Sequence, residues 1–507
     1  MSAGIVRRVV LALVVVLALA GIYGAARIGH PASKTVRSAA VSRADVSSAI
    51  RVCPAPGSAA PTASALAVAA VPGSAATGSA VVTPLSPVGS SSAGPTLATL
   101  TRPGVLQASS VPVARALTAA ELAGQPGSSP SVRTQAGRGG VQVSATGALA
   151  QGLEVEQTGP GGLVTAQCGA PSTNFWFAGP GQKSAATIEL YLTNTGSTPA
   201  DAQVQAVTDA ANGPPVLGNA DNGITVPPHG MVVQSLDGLL HGSGIMALNV
   251  STTVGQVVAA VRESRLAGQA GGWLPPLPAP ARHLVIPGLP GAPGSRDLYI
   301  AVPGSGAAQI KITAITQRGS YQPTGGTGID LLGGSVSAIP LPSLGGIAGA
   351  LSVTSSVPVV AAMLLPGGPA GTVGVLAPGA GPVLEQGVLA ANPAGSPGTA
   401  LVLSAPGKAA SVRIATATGS TPATSRDGQV VQIAAKSSQV VQVKPPGVKA
   451  GSFMLVVTPL AGSGPVYAGR IIGAGGSVLS IMPVPSSLTW IPLPGVNESV
   501  AAILGGS

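Results

Sequence analysis

Three stretches spaced about a hundred residues apart decide the fold. They read Ala247-Leu248-Asn249-Val250 then Val257-Val258-Ala259-Ala260, Ala350-Leu351-Ser352-Val353 then Val359-Val360-Ala361-Ala362, and, more loosely, Met454-Leu455-Val456-Val457 then Val466-Tyr467-Ala468-Gly469. Leu248, Leu351 and Leu455 are 103 and 104 residues apart. Upstream of each copy stand two alternating segments. Thr187-Ile188-Glu189-Leu190-Tyr191-Leu192 precedes Asp201 to Val207, Asp297-Leu298-Tyr299-Ile300 precedes Ala308 to Ile312, and Ala400-Leu401-Val402-Leu403 precedes Ser411 to Ile414. Alternation at period 2 between Gly, Pro, Ser and Asn turns marks half-buried strands, and each pair is expected to form a hairpin.

Each repeat opens on a short strand that runs into Pro: Phe175 to Pro180, Leu284 to Pro287 and Val388 to Pro393. A fourth opener, Thr489 to Gly495, has no repeat behind it. Six or seven strands in about 100 residues is the size of an immunoglobulin-like sandwich, so the expected fold is all-β: an N-terminal transmembrane helix, then tandem sandwiches. The alternative is a β-propeller closed by the C-terminal strand, with two blades of about 40–50 residues in each repeat.

The divisions that follow are a tail (1–8), an apolar segment (9–26), a basic juxtamembrane segment (27–51) and an irregular Ala/Ser/Pro-rich first domain, partly linker (52–172). Then come repeat 1 (173–268), a Pro-rich connector (269–281), repeat 2 (282–373), repeat 3 (374–484) and a C-terminal strand (485–507). Within the connector, Trp273 is expected to cap a core edge.

The composition fits a folded β protein. Aromatic residues make up 2% and charged residues 8% of 507, and mean hydropathy is +0.48. Disorder calls for the opposite, low hydropathy with high charge. The net charge of +10 is concentrated at one end. Arg7, Arg8, Arg27, Lys34, Arg37, Arg43 and Arg51 against Asp45 give residues 1–51 a net +6. Basic residues beside an apolar run suit lipid headgroups or an anionic envelope polymer. With no basic helix and no aromatic stacking platform, nucleic acid is not an expected partner.

The run from Val9 to Ala26 is uncharged and follows Arg7-Arg8. Eighteen residues at 1.5 Å reach about 27 Å, near the thickness of a hydrocarbon core. A retained anchor with limits Val9 and Ala26 is the first reading, and a signal peptide cut after Ala18-Leu19-Ala20 the second. The positive-inside count opposes export, because five basic residues follow the run and two precede it. The cysteines favour export. Cys53 and Cys168 form an even pair, and outside the cytoplasm such a pair reads as a disulfide.

No catalytic, cofactor or metal motif is present. His30, His229, His241 and His283 are scattered, and zinc would need more ligands. Gly304-Ser305-Gly306 and Asn219 to Gly223 read as turns. Asp237, near His241, is the acidic residue that most invites inspection.

The N-terminal apolar segment, Val52-Cys53-Pro54-Ala55-Pro56, Cys168-Gly169-Ala170-Pro171, Phe175-Trp176-Phe177-Ala178-Gly179, Trp273-Leu274-Pro275 and the Val-Val-Ala strands together resemble an uncharacterised actinobacterial family. That family is catalogued only as a domain of unknown function, and its members look like membrane-anchored or secreted β-repeat proteins of about 500 residues. The bias of 18 Arg to 7 Lys fits a high-GC genome. The resemblance implies location and no chemistry. The expected role is a non-enzymatic, membrane-tethered binding or scaffold protein outside the cytoplasm. Its expected partners are membrane lipid and an envelope polymer or another envelope protein. The alternative is an accessory or degenerate enzyme acting on envelope glycans.

Overall fold

β-branched and small apolar residues dominate the chain, and the computed structural model is all-β apart from one N-terminal helix. It describes residues 3–28, 42–54, 64–70, 78–85, 98–100, 106–108, 110–111, 133–134, 140–158, 164–209, 223–264, 272–365, 374–417, 428–474 and 477–493, apart from 184, 186, 293, 295, 446 and 448–451. His30 and Asn219 to Asn222 lie outside these residues.

The chain divides into two compact units, one of Met1–Ala44 with Ile491–Ser507 and one of Asp45–Trp490. In the smaller, the apolar run is helical over Ala3–Ile28. Side chains are described for 10–23, and the large apolar ones among them are exposed, Leu11 at 68% and Ile22 at 67%. Among the described residues, no helix is long and apolar enough to cross a membrane. Strand Ser42–Asp45 pairs with Trp490–Leu493 in a two-stranded sheet.

The larger unit holds one eight-strand plan four times over. In the copy that begins at Asn174 the strands are Asn174–Pro180, Thr187–Thr193, Ala200–Thr208, Ile224–Val226, Met231–Ser235, Ile245–Val254, Val258–Ser264 and Gly272–Leu274. One sheet runs in the order first-sixth-third-fourth and the other fifth-second-seventh-eighth, and every neighbour is antiparallel. Phe177, Val204 and Leu248 from one sheet meet Leu190, Leu192 and Val261 from the other in a single core.

The copies beginning at Ala281 and Gly387 keep this order. In the Ala281 copy the sixth and seventh strands fuse into one, Gly349–Leu365. Its first half pairs in one sheet and its second half in the other. Leu248, Leu351 and Leu455 all lie in the sixth strand, fully buried, so the period in the sequence is the period of the fold.

Four expectations are corrected. The stretch expected to be an irregular first domain is itself a copy: Ser48–Cys53, Val141–Gly147, Gly78–Pro84 and Ala98–Leu100 form the first-sixth-third-fourth sheet. Glu154–Thr158 and Val164–Gln167 pair beside Ser64–Ala69 as its seventh, eighth and second strands. Its strands are poor in large side chains and separated by long Ser/Gly/Pro segments, which hides the alternation. Arg51, counted with the basic juxtamembrane segment, lies in the first strand of this copy and pairs with Glu154 at 3.2 Å.

Second, the expected hairpins do not form. Thr187–Thr193 and Ala200–Thr208 belong to opposite sheets, because alternation fixes which face of a strand is buried but not its neighbour. Third, the repeat boundaries shift. Gly272–Leu274, expected within a connector, is an eighth strand, and Val375–Pro378 closes the third copy rather than opening the fourth. Fourth, the sheets enclose cores in pairs, which is not how propeller blades pack. The order also departs from the immunoglobulin plan. The second and fifth strands are neighbours there and here, as are the third and sixth, but here the first and fourth strands lie on the sheet of the third and sixth, and the seventh on that of the second and fifth.

The copies touch in cyclic order. Val52 and Leu85 of the first meet Val258 of the second. Trp176, Ala178 and Ala247 of the second pack on Tyr299, Ala301 and Val360 of the third. Val285 and Ala350 of the third meet Tyr467 of the fourth. Ala67 and Ala69 of the first pack under Val388, Ala390 and Met454 of the fourth, which closes the cycle. Strands at these junctions are covered on both faces, and all seven residues of Gly387–Pro393 are buried. Small side chains allow that approach. At the third junction a Cβ on Gly469 would stand 2.5 Å from Gly288 Cα, and Gly288 has φ +79°, so both positions need glycine. The Ala/Gly-rich, aromatic-poor composition follows from such contacts.

Candidate functional site

Cys53 ends a first strand and Cys168 follows an eighth, and the two are joined as a disulfide with Cα atoms 4.3 Å apart. The bridge ties the two sheets of the first copy across its core. The other side chains singled out in the sequence stay apart. Asp237 Oδ1 accepts a hydrogen bond from Ile188 N at 2.9 Å, so it serves an open strand end. His283 Nε2 lies 3.0 Å from Ser352 Oγ, and His229 occupies a turn with φ +49°. Gly304 to Gly306 form the turn between Arg296–Val302 and Ala308–Thr316. Among the described residues no three His, Cys, Asp or Glu side chains converge as metal ligands.

What the sequence did not single out is a cavity of about 250 Å³ to which all four copies contribute. It is lined at the eighth strand of each: Ala166, Trp273, Leu376 and Ile481 occupy corresponding strands. An eighth strand is the edge of its sheet, and cyclic packing turns these edges toward a shared space. Aromatic side chains gather there. Phe175, Phe177, Tyr191 and Trp273 line it, in a chain with only three Phe, five Tyr and three Trp.

Phe175 and Phe177, two apart on one strand, stack at 6.5 Å and 14°. Half-buried Trp273 meets Tyr191 edge-on, with centroids 5.0 Å apart. Its expected place at a core edge is therefore also a place on the cavity wall. The Tyr191 hydroxyl donates to Glu189 Oε2 at 2.9 Å, and its pKa is pushed up to about 12, first by burial and then by that carboxylate. The phenol stays neutral and hydrogen-bonded. Glu263, Thr193, Gln167 and Ser480 supply the other polar groups of the lining, and among the described residues it contains no Lys, Arg or His.

A second polar cluster lies buried between the first and fourth copies. Glu154 and Glu156 project from one face of a seventh strand. Glu156 Oε2 accepts from Arg470 Nη1 at 3.0 Å and from Ala391 N at 2.7 Å. Arg470 Nη1 also donates to Ala391 O, and both side chains of the pair are sealed, at 0% and 1% exposure. Glu154 Oε1 accepts from Arg51 Nη2 and Ser487 Oγ. Two carboxylates this close resemble a hydrolytic dyad, but each is committed to a structural partner under the fourth copy.

Fold and site together define an all-β protein of four two-sheet copies around a common aromatic-lined cavity. The sequence pattern of DUF5719, a family of unknown function, matches residues 122–444, more than half of the chain, and the chain belongs to that family. The match runs from within the first copy to the fifth strand of the fourth. No curated protein matches the chain, and neither does any solved structure.

Proposed function

We propose that the protein is a non-enzymatic binding module that works outside the cytoplasm, held at a membrane by its N-terminal helix. The shared cavity carries this reading, because a space built from four copies of one strand is a product of the whole assembly and concentrates the aromatic side chains of an aromatic-poor chain. The four units are read as copies of one sandwich of immunoglobulin size, arranged so that the binding region forms where their edges meet. An envelope polymer or another envelope protein would engage the rim.

Two observations support the address. The Cys53–Cys168 bridge suits an oxidising compartment. The exposed apolar side chains along residues 10–23 need a nonpolar surrounding, which lipid provides. With Arg51 assigned to the first copy, four basic residues rather than five stand in the sequence between the apolar run and the first strand of that copy. A hydrolytic role by paired carboxylates needs two of them across the substrate, and among the described residues the cavity lining supplies one, Glu263.

Reporter fusions after residues 60 and 507 test the address. Activity of an export-dependent reporter at both points is expected, and activity of a cytoplasm-only reporter at either would overturn it. In intact cells Cys53 and Cys168 should resist alkylation until a reductant is added. Retention of a released, shortened chain in the medium would replace the anchor by a cleaved signal.

A further inference from the structure

We propose that the central cavity takes an uncharged apolar molecule, or the end of an apolar chain, of about ten carbon atoms. This deepens the binding reading above and rests on it. Size comes first. A dry cavity of about 150 Å³ holds benzene, so about 250 Å³ scales to roughly ten carbons. The walls come second. Phe175, Trp273, Leu274, Leu376, Ile481 and Met482 surround the space, so filling it removes apolar surface from water on both sides.

Charge decides the class. Among the described residues the lining has no basic side chain, so it offers a carboxylate, phosphate or sulfate group no cationic partner, and the apolar walls would have to take up that charge without water. The Tyr191 hydroxyl is already committed to Glu189. Thr193, Gln167 and Ser480 leave room for a hydroxyl or carbonyl on the ligand. Acyl or isoprenyl ends of lipids and free hydrocarbons or alcohols share this chemistry.

The test uses the full chain in nanodiscs, with empty nanodiscs as the blank. Tryptophan emission is followed during titration with decan-1-ol, naphthalene and decanoate, since Trp273 lines the cavity. The two neutral probes are expected to saturate a single site, with decanoate at least tenfold weaker. Gly272→Leu and Ala166→Leu narrow the cavity from two different copies, and a Cβ at Gly272 meets nothing within 4 Å. At least one of them, with an unchanged unfolding midpoint, should weaken decan-1-ol tenfold or more.

No saturable binding of either neutral probe, decanoate as tight as decan-1-ol, or binding that survives both folded variants would each overturn the proposal. Nanodiscs with brominated acyl chains separate the sources. Quenching that is lost in Trp273→Phe identifies a lipid chain, and its absence alongside decan-1-ol binding identifies a free molecule. The address is read independently by the reporter fusions, so failure of the probes and failure of export are distinct results.

Discussion

Glu154 and Glu156 stand two residues apart on one strand face, each buried against a different arginine. Burial raises the Glu154 carboxyl above its ordinary value of 4.5, outweighing the opposing effect of Arg51 and Ser487. A folded-state value above the unfolded one means that the folded chain holds the proton more tightly. The contribution of Glu154 to stability is therefore full below about 4.5 and is lost as pH rises through the raised value. Glu154→Gln keeps an oxygen for Arg51 and Ser487 without the buried charge. It should flatten the fall in the urea midpoint above pH 4.5 and gain on the parent chain at pH 8; identical pH profiles would refute this. Glu156 is tied to Arg470, 314 residues away, with both sealed from water. Removing one partner of such a pair costs about 3–5 kcal/mol, whereas removing both is often near neutral. Arg470→Met alone should lose that much in denaturant, and adding Glu156→Gln should recover most of it, with the amide oxygen still able to accept from Ala391 N. Additive losses in the double variant would count against a coupled pair. Neither glutamate stands out in the sequence, because every group that gives it meaning is distant along the chain. Leu248, Leu351 and Leu455 were legible because burial in equivalent strands needs only the local pattern.

At the level of strands, the sequence revealed members more readily than partners. Thr187–Thr193 and Ala200–Thr208 both carry clear alternation, but their neighbours are Val258–Ser264 and Ile245–Val254, set by two-sheet packing rather than adjacency. The first copy was hidden for a different reason. Its second strand, Ser64–Ala69, reads Ser-Ala-Leu-Ala-Val-Ala, and one face of it packs beneath the fourth copy, so small residues replace the polar half of the pattern. The cysteines did betray that this region folds. Their bridge closes a loop of 115 residues, worth roughly 4–5 kcal/mol in the chain-entropy account. Reduction, or Cys53→Ser with Cys168→Ser, should lower stability by about that amount in denaturant titrations with and without dithiothreitol. A loss below about 1 kcal/mol would mean that the first copy is held by its neighbours rather than by its staple.

Four copies in cyclic contact have a consequence that a linear array lacks. In an open array each repeat leans only on adjacent repeats, and its ends open first. Here the first and last copies share a core of Ala67, Ala69, Val388, Ala390 and Met454, with the Glu156–Arg470 pair beside it, so neither is a free end. The cavity depends on the same closure, since Val164–Gln167 and Ser477–Pro483 reach it from the two copies that the closure joins. No local pattern announces this space; it arises from edges that lie over a hundred residues apart in the chain. A lesion in the fourth copy should therefore be felt in the first. Arg470→Met is expected to speed amide hydrogen exchange at Val143 and Ala145, in the buried sixth strand of the first copy, as much as in the sixth strand of the fourth, Ser452–Pro459. Gly469→Ala, at the junction of the third and fourth copies, forces apart two backbones in contact and should spread in the same way while leaving both members of the ion pair in the chain. If exchange rises in the fourth copy alone for both variants, the copies open independently and the cavity is a contact between autonomous domains. If it rises in the first as well, closure is what makes the assembly cooperative.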